Sequence, residues 1–180
     1  MNRASVVTSL RHAGNVKRYH THPTLRTQTV ADHSWHVMRI FMELFPDAVT
    51  VEVLTYILWH DTPEIGTGDL PFPVKATHPA LRAEITELEQ EVSDNLGIVW
   101  PELTTRQRLL VKVCDLLEMT EFGCEEYTMG NKYAVIIIED TVHAVLPIAK
   151  ELGILDIIEM YVRGLHGFES NSIFDKEHSS

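Results

Sequence analysis

Apolar residues recur every three or four positions along most of this 180-residue chain, and that spacing constrains its fold more than any other feature. A period of 3.6 residues places apolar side chains on one face of an α-helix. The predicted helices are Thr29–Phe45, Val49–Asp61, Pro79–Leu96, Thr105–Met129, Tyr133–Leu152 and Ile154–Leu165. Pro79 and Thr104 are typical of helix starts, and Gly97 is typical of a helix stop. The pattern predicts an all-α fold of six or seven helices around one core.

Two of these segments have features that the structure can test. The apolar stripe predicted for the third helix consists of Leu81, Ile85, Leu88, Val92 and Leu96. Residues Ala134–Ile138 are all apolar and end in three consecutive isoleucines, which is also typical of a buried strand. The length of Tyr133–Leu152 and the absence of a strand-like partner favour a buried helix.

The composition is that of one ordinary globular domain. Apolar residues make up 44% of the chain and charged residues 23%. We expect residues 1–168 to form this domain and the polar residues 169–180 to form a tail. No apolar run approaches the roughly 20 residues of a membrane span, and the first residues lack the apolar centre of a signal peptide.

The charge and the two cysteines limit the possible partners. A formal net charge of −11 disfavours polymeric nucleic acid but permits a small anion in a local positive pocket. Cys114 and Cys124 lie in one predicted helix, about 15 Å apart at a rise of 1.5 Å per residue, which is too far for a disulfide. We expect free thiols and a reducing, cytoplasmic location.

Four polar side chains interrupt the apolar faces of three predicted helices. His33 falls on the apolar face of the first helix, and His60 and Asp61 end the apolar second helix. Asp115 lies in the middle of the apolar segment LLVKVCDLLEM. A buried and isolated carboxylate is costly, so four such groups in one core indicate a shared cation. Two imidazoles and two carboxylates suit a divalent first-row metal, with positions left open for water or substrate.

Each of these residues also has a purely structural explanation. A single inward histidine such as His33 is often an ordinary core residue. A His-Asp pair at a helix end often forms caps and surface ion pairs, and Asp115 can pair with the nearby Lys112. The order of the set, on separate helices and in apolar surroundings, favours the metal site.

The motifs around these residues carry a family resemblance. The order of these residues resembles the pattern of the HD-domain metal-dependent phosphohydrolases. That pattern is a histidine, then a His-Asp pair, then an aspartate, here His33, His60-Asp61 and Asp115. The resemblance is most specific to bacterial 5′-deoxynucleotidases and to the short phage dATP triphosphohydrolases, and it covers Arg11 to Glu126. The segments that carry it are NVKRYH, LRTQTVADHS, HDTPEIGTGDLPFPVK and VKVCDLLE.

The resemblance implies an HD-domain helical bundle, a deoxynucleotide as small-molecule partner and a homo-oligomer. It also implies a cytoplasmic enzyme, in the host cytoplasm if a phage encodes it. The implied metal ion is Co²⁺, Mn²⁺, Zn²⁺ or Mg²⁺. The implied roles are metal ligand for His33, His60, Asp61 and Asp115, catalytic residue for Glu64 and Asp69, and substrate binding for Arg18, Tyr19 and Lys75.

Substrate choice depends on the segment after Arg18. Tyr19 stands where the resembled bacterial enzymes carry a tryptophan that helps to exclude the ribose 2′-hydroxyl, which implies a preference for deoxyribose. The segment RYHTHPTLRTQTVADHSW is more similar to the phage proteins and favours a dATP-type triphosphohydrolase. Three phosphates require more positive charge than one. The residues that either supply this charge or form a solvated loop are Lys17, His20, His22 and Arg26.

Three alternative functions stay open. A 5′-deoxynucleotidase would convert a deoxynucleoside monophosphate to the deoxynucleoside and phosphate. A non-catalytic nucleotide-binding HD module would be expected to lose Glu64 or the basic residues before the ligands, and all are present. A helical DNA-binding or scaffold protein would carry a basic recognition helix, and we find none.

Overall fold

The computed structural model describes residues 9–69 and 78–165, and these residues form helices joined by short connections. The six α-helices with defined bounds are α1 (Val30–Leu44), α2 (Val51–Trp59), α3 (Pro79–Leu96), α4 (Thr105–Thr128), α5 (Val135–Leu152) and α6 (Leu155–Gly164). Residues 9–13 are also helical. Short 3₁₀ helices occupy Pro46–Ala48, Thr62–Ile65 and Lys132–Ala134. The described part of the chain contains no strand, only one isolated bridge, so the all-α prediction is confirmed.

The described residues fall into two compact units. The first unit contains residues 9–23, 27–38, 50–69 and 78–102, and the second contains residues 24–26, 39–49 and 103–165. Among the helices of these ranges, none is both long enough and apolar enough to cross a membrane. The single domain over residues 1–168 stays a prediction, and the tail 169–180 lies outside the described residues.

Local sequence signals explain where α3 and α4 begin and end. Pro79 opens α3, and Gly97 ends it with a left-handed φ of 69° that glycine adopts without strain. Thr104 caps α4 through a capping box with Gln107, in which the Thr104 hydroxyl accepts the Gln107 N–H and the Gln107 side-chain oxygen accepts the Thr104 N–H. Both predicted helix starts and the predicted stop are confirmed.

The segment with the ambiguous isoleucines is helical, as predicted. Helix α5 packs closely against α4 within the second unit. The contact is tight at Gly123, where an added Cβ would lie 2.9 Å from the Ile138 side chain. The fully buried residues Leu117, Ile138 and Val145 contribute to the core of this unit.

Two sequence predictions differ from the structure. Helix α2 ends at Trp59 instead of Asp61, and the chain continues into the 3₁₀ helix Thr62–Ile65. Pro63 explains the difference, because proline disfavours the α conformation in the preceding residue and has no N–H to continue the helix. In α3, Leu96 is buried, but Leu81 and Leu88 are 38% and 42% exposed. Part of the stripe predicted for this helix therefore faces solvent.

Both cysteines are free thiols, as predicted, and both are buried. Burial raises the pKa of Cys114 well above its usual value, and the nearby Asp115 carboxylate adds to this effect. Burial likewise raises the pKa of Cys124 to about 11. Neither thiol is therefore an activated nucleophile at neutral pH.

A buried carboxylate organises one end of the second unit. Glu126 accepts hydrogen bonds from the backbone N–H groups of Leu25 and Arg26, at 2.7 and 3.0 Å, and from the Asn131 side chain at 2.9 Å. Burial by itself raises the pKa of Glu126, but these hydrogen bonds outweigh it, and the pKa lies below its usual value. The carboxylate thus ties residues 24–26 to the end of α4.

We expect Glu126→Gln to lower the free energy of unfolding by about 1–3 kcal/mol at pH 7, because an amide offers one acceptor to three donors. The pKa of Glu126 is depressed on folding, so its contribution is present above the unfolded pKa of about 4.3 and is lost as pH falls through the folded value. Urea unfolding at pH 7 and pH 3.5 measures this difference. Glu125→Gln is the matched control, because Glu125 pairs with Arg26 at the surface. An equal loss in the two variants would contradict the assignment.

Candidate active site

A closed backbone loop delivers His33 to the interior of the first unit. Lys17 and Thr29 form an antiparallel bridge, and Val30 N–H donates to Val16 O at 2.9 Å. Helix α1 starts directly after this bridge, where the Thr29 N–H and hydroxyl both donate to Asp32 Oδ2. This cap sets the first turn of α1, and His33 in that turn is completely buried.

The end of α2 presents His60 to His33. The His60 Nδ1–H donates to the backbone carbonyl of Ile57 at 2.6 Å, so Nε2 carries the lone pair in the neutral ring. The two Nε2 atoms of His33 and His60 are 3.3 Å apart. Because a carbonyl oxygen only accepts, the contact of His60 Nδ1–H with Ile57 O also fixes the orientation of the His60 imidazole.

Asp61 completes a triangle of donor atoms. Its Oδ2 lies 3.5 Å from the Nε2 atoms of both His33 and His60. Two ligand atoms about 2.0–2.1 Å from a tetrahedral zinc ion are separated by about 3.3–3.4 Å. The three measured separations match this geometry, so these side chains fit a divalent first-row metal.

Arg18 adds positive charge at the same place. Its Nη1 donates to Asp61 Oδ2 at 2.5 Å, and its side chain is only 7% exposed. A charge-assisted hydrogen bond of this kind is stronger than a neutral one. Arg18 therefore partly offsets the charge of Asp61 and places a positive charge beside the donor triangle.

Glu64 occupies the 3₁₀ helix that follows the His-Asp pair. Its backbone N–H donates to Asp61 O at 3.1 Å, and its side chain is buried. Gly66 allows the turn to pack against α3, because a Cβ at this position would lie 2.6 Å from the Val92 side chain. Gly68 has a left-handed φ of 73°, so the two glycines serve different purposes, close packing at one and a turn at the other.

Asp69 contacts the backbone of Tyr19. Its Oδ2 accepts the Tyr19 N–H at 3.0 Å. Tyr19 is buried and has a left-handed φ of 57°, which is rare for an aromatic residue. The residues to which the family resemblance gives a catalytic role, Asp69, and a substrate-binding role, Tyr19, are thus joined by a hydrogen bond from a backbone N–H to a carboxylate.

Two further predicted site residues are Asp115 and Lys75. Asp115 belongs to the second unit, where its Oδ2 accepts a hydrogen bond from Lys112 Nζ at 2.7 Å. Its assignment as a fourth ligand stays a prediction. Lys75 lies outside the described residues.

Of the basic residues considered for additional phosphates, Arg26 is already engaged. Its guanidinium pairs with Glu125 and lies over the Phe122 ring, 5.0 Å from the centroid. Lys17 and His20 are exposed. For Arg26, these contacts favour the explanation that it belongs to a solvated loop. Lys17 and His20 are accessible to solvent.

Sequence reasoning missed the backbone partners of the site. The carbonyl of Gln28 accepts the Arg18 N–H at 2.9 Å, and Gln28 itself is buried. This hydrogen bond joins two main-chain groups, which nearly every residue type has, so it could not be predicted from the identities of the two residues. The cap formed by Thr29 and Asp32 is different, because a threonine three residues before an acidic residue is a recognisable helix-start signal.

Comparison with known proteins identifies relatives of this chain. Residues 6–147 match the model of the 5′-deoxynucleotidase YfbR-like family. A dATP triphosphohydrolase of Salmonella phage PMBT28 is 34% identical over 121 residues, which cover 61% of this chain and 61% of that protein. The match thus spans less than two thirds of the phage relative.

Two other relatives have lower identity. The 5′-deoxynucleotidase Ent638_2835 of Enterobacter sp. (strain 638) is 28% identical over 138 residues, which cover 64% of this chain and 69% of that protein. The HD phosphohydrolase DatZ of cyanophage S-2L, solved with dA and one catalytic Zn²⁺ ion, is 21% identical. Its fold superposes with a TM-score of 0.62 and covers 87% of this chain and 95% of the phage protein. This likeness shows a shared fold.

We expect the metal-free protein to bind about one equivalent of Co²⁺ or Zn²⁺. Loss of a residue that supports a ligand without touching the metal typically lowers metal affinity roughly 10- to 100-fold. We expect His60→Ala, which removes a ligand, to lower it by more than that. The visible absorption of bound Co²⁺, or calorimetric titration, measures the affinity. His36→Ala is the matched control, since His36 lies on α1 with its ring against Trp35. Equal affinity in wild type and His60→Ala would remove the basis for the site.

Proposed function

This chain belongs to the 5′-deoxynucleotidase YfbR-like family, and on that premise we propose that it is a metal-dependent phosphohydrolase of deoxynucleotides. The proposed substrate is a deoxynucleoside triphosphate, with dATP preferred, and the proposed products are deoxyadenosine and triphosphate. The observation that carries the proposal is the triangle of His33 Nε2, His60 Nε2 and Asp61 Oδ2, with Arg18 against it.

The triangle supports phosphate chemistry because it combines metal donors with an adjacent cation. His33, His60 and Asp61 would hold a divalent metal, which would supply positive charge at a phosphate oxygen and lower the pKa of a water molecule. Arg18 contributes a second positive charge, on a side chain whose orientation is fixed by Asp61. We propose Asp115 as the fourth ligand. The basis for this assignment is the order of the histidine, the His-Asp pair and the later aspartate in the sequence.

Glu64 is proposed to move the proton. Attack of water on the α-phosphorus forms a new P–O bond and breaks the bond to the 5′-oxygen, so the water loses one proton and the leaving 5′-oxygen gains one. A buried carboxylate one short turn after the His-Asp pair is suited to accept that proton. Arg18, and by resemblance Lys75, would stabilise the negative charge that develops on the phosphate oxygens.

The choice of a triphosphate rests on similarity and on charge. The dATP triphosphohydrolase of the Salmonella phage is 34% identical to this chain, and the Enterobacter deoxynucleotidase is 28% identical. The exposed Lys17 and His20 lie within two positions of Arg18 in the chain and are available to additional phosphates. The second candidate is a 5′-deoxynucleotidase, which the family match favours.

The proposed setting of the enzyme is the cytoplasm, including that of a host if a phage encodes the chain. The free, buried cysteines support a reducing environment. A homo-oligomer is proposed from the family resemblance alone.

A substrate panel tests the proposal. Ribo- and deoxynucleoside mono-, di- and triphosphates are incubated with Mn²⁺, Co²⁺, Zn²⁺ or Mg²⁺, and the products are separated by chromatography. We expect dATP to give deoxyadenosine and triphosphate. Turnover of monophosphates alone would favour the 5′-deoxynucleotidase. Metal binding without turnover of any nucleotide would reject both enzymes in favour of a binding module.

Replacing Glu64 tests its role in proton transfer. We expect Glu64→Gln to keep metal affinity and to lower kcat at least ~100-fold, the usual scale for a lost acid or base. Single-turnover kinetics and metal titration measure the two quantities. Glu52→Gln, an exposed carboxylate on α2, is the control. Turnover of Glu64→Gln at the wild-type rate would reassign the proton to another group.

A further inference from the structure

We infer that Gly66 is a positioning residue, which lets the turn that carries Glu64 lie against α3 and thereby sets the rate of proton transfer. This inference rests on the proposed function, in which Glu64 accepts the proton from water. The observation that carries it is the close approach of the Gly66 backbone to the Val92 side chain. Gly66 has no reactive group, so it acts through Glu64, two positions earlier in the chain.

The backbone conformation of Gly66 does not itself require glycine. Its φ of −86° and ψ of −29° lie in the helical region, which every residue type adopts. The requirement is one of space, because a Cβ at this position would lie 2.6 Å from Val92 Cγ2. Carbon atoms in favourable contact are about 3.5–4.0 Å apart. Any side chain at position 66 would therefore push the turn and α3 apart or force Val92 to move.

Val92 is poorly able to move out of the way. Valine is branched at Cβ and strongly prefers one rotamer within a helix. The buried residues of α3 are Ser93 and Leu96, which directly follow Val92 and lie one turn after it. This end of α3 is thus fixed by packing, and the helix contacts the 3₁₀ helix Thr62–Ile65. We therefore expect the turn to shift when a Cβ is added at position 66.

Backbone hydrogen bonds connect Gly66 to Glu64 within this turn. The Gly66 N–H donates to Pro63 O at 3.0 Å. The Glu64 carbonyl accepts the N–H groups of Thr67 and Gly68, at 3.2 and 2.7 Å. A shift of Gly66 would therefore move the Glu64 backbone and its buried side chain as well. Misplacement of a reacting group by about 1 Å can lower a rate roughly 100-fold.

The test adds a methyl group on one side of the contact and removes methyl groups on the other, with dATP as substrate. We expect Gly66→Ala to lower kcat about 10- to 100-fold, while KM and metal affinity change less than about threefold. In Gly66→Ala/Val92→Ala, the nearest atom of residue 92 is its Cβ, at 3.7 Å from the new Cβ, which is an ordinary contact distance. We therefore expect this double variant to recover kcat to within about threefold of wild type.

Gly123→Ala is the matched control for a general loss of packing. Its added Cβ would lie 2.9 Å from the Ile138 side chain, within the second unit. We expect it to lower Tm by about 2–6 °C and to leave kcat within about twofold of wild type. An equal loss of kcat in Gly123→Ala and Gly66→Ala would overturn the inference. Wild-type kcat in Gly66→Ala, or no recovery in the double variant, would also overturn it.

A graded series decides the question if Gly66→Ala does not fold. In the Val92→Ala background, position 66 is varied from glycine to alanine to valine. We expect similar kcat with glycine and alanine, and a kcat at least about tenfold lower with valine, whose Cγ atoms would again reach α3. Equal kcat with all three residues would contradict the inference.

Amide hydrogen exchange at Gly68 separates this inference from the proposed function. This amide donates to the Glu64 carbonyl at 2.7 Å, so its exchange rate reports on the turn. We expect Gly66→Ala to accelerate the exchange at least about tenfold and the added Val92→Ala to restore it. If the wild-type protein hydrolyses no deoxynucleotide, the proposed function fails, while the exchange rates still decide whether Gly66 positions Glu64. Unchanged exchange in Gly66→Ala would reject the inference even if dATP is hydrolysed.

Discussion

The structure of the site depends on bringing two imidazole nitrogens and a carboxylate oxygen within 3.5 Å of one another. Lone pairs this close in a partly desolvated place repel one another unless positive charge lies between or beside them. Arg18 supplies such a charge from one side, at 2.5 Å from Asp61. The remaining space between the donors has the dimensions of a tetrahedral metal site.

The elements around this cluster hold each donor by backbone geometry. Helix α1 begins directly after the bridge between Lys17 and Thr29, and His33 lies one turn after this bridge. A carbonyl of α2 fixes the ring of His60, and Pro63 ends the helical path so that Glu64 follows in a tight 3₁₀ turn. Rigid supports of this kind hold ligands within the small tolerances that metal binding demands.

Four acidic residues of this chain make different contacts, and these contacts distinguish their roles. Asp61 shares the donor triangle with two histidines, whereas Glu64 is buried in the next turn. Asp69 accepts a backbone amide, and Glu126 accepts three hydrogen bonds far from the triangle in sequence. A carboxylate's role follows from the donors that reach it, and residue type alone does not reveal them.

The sequence by itself determined the helical fold, most helix ends and the identity of the candidate donors. These features depend on local chemistry, namely the 3.6-residue apolar period, the caps at Thr104 and Gly97, and polar residues in apolar surroundings. Tertiary structure decided the rest. The left-handed Tyr19, the partner of Asp69 and the exposure of Leu88 all depend on which distant segments meet. Contacts between residues far apart in the chain, many of them made by backbone atoms, leave no signature in the local pattern of side chains.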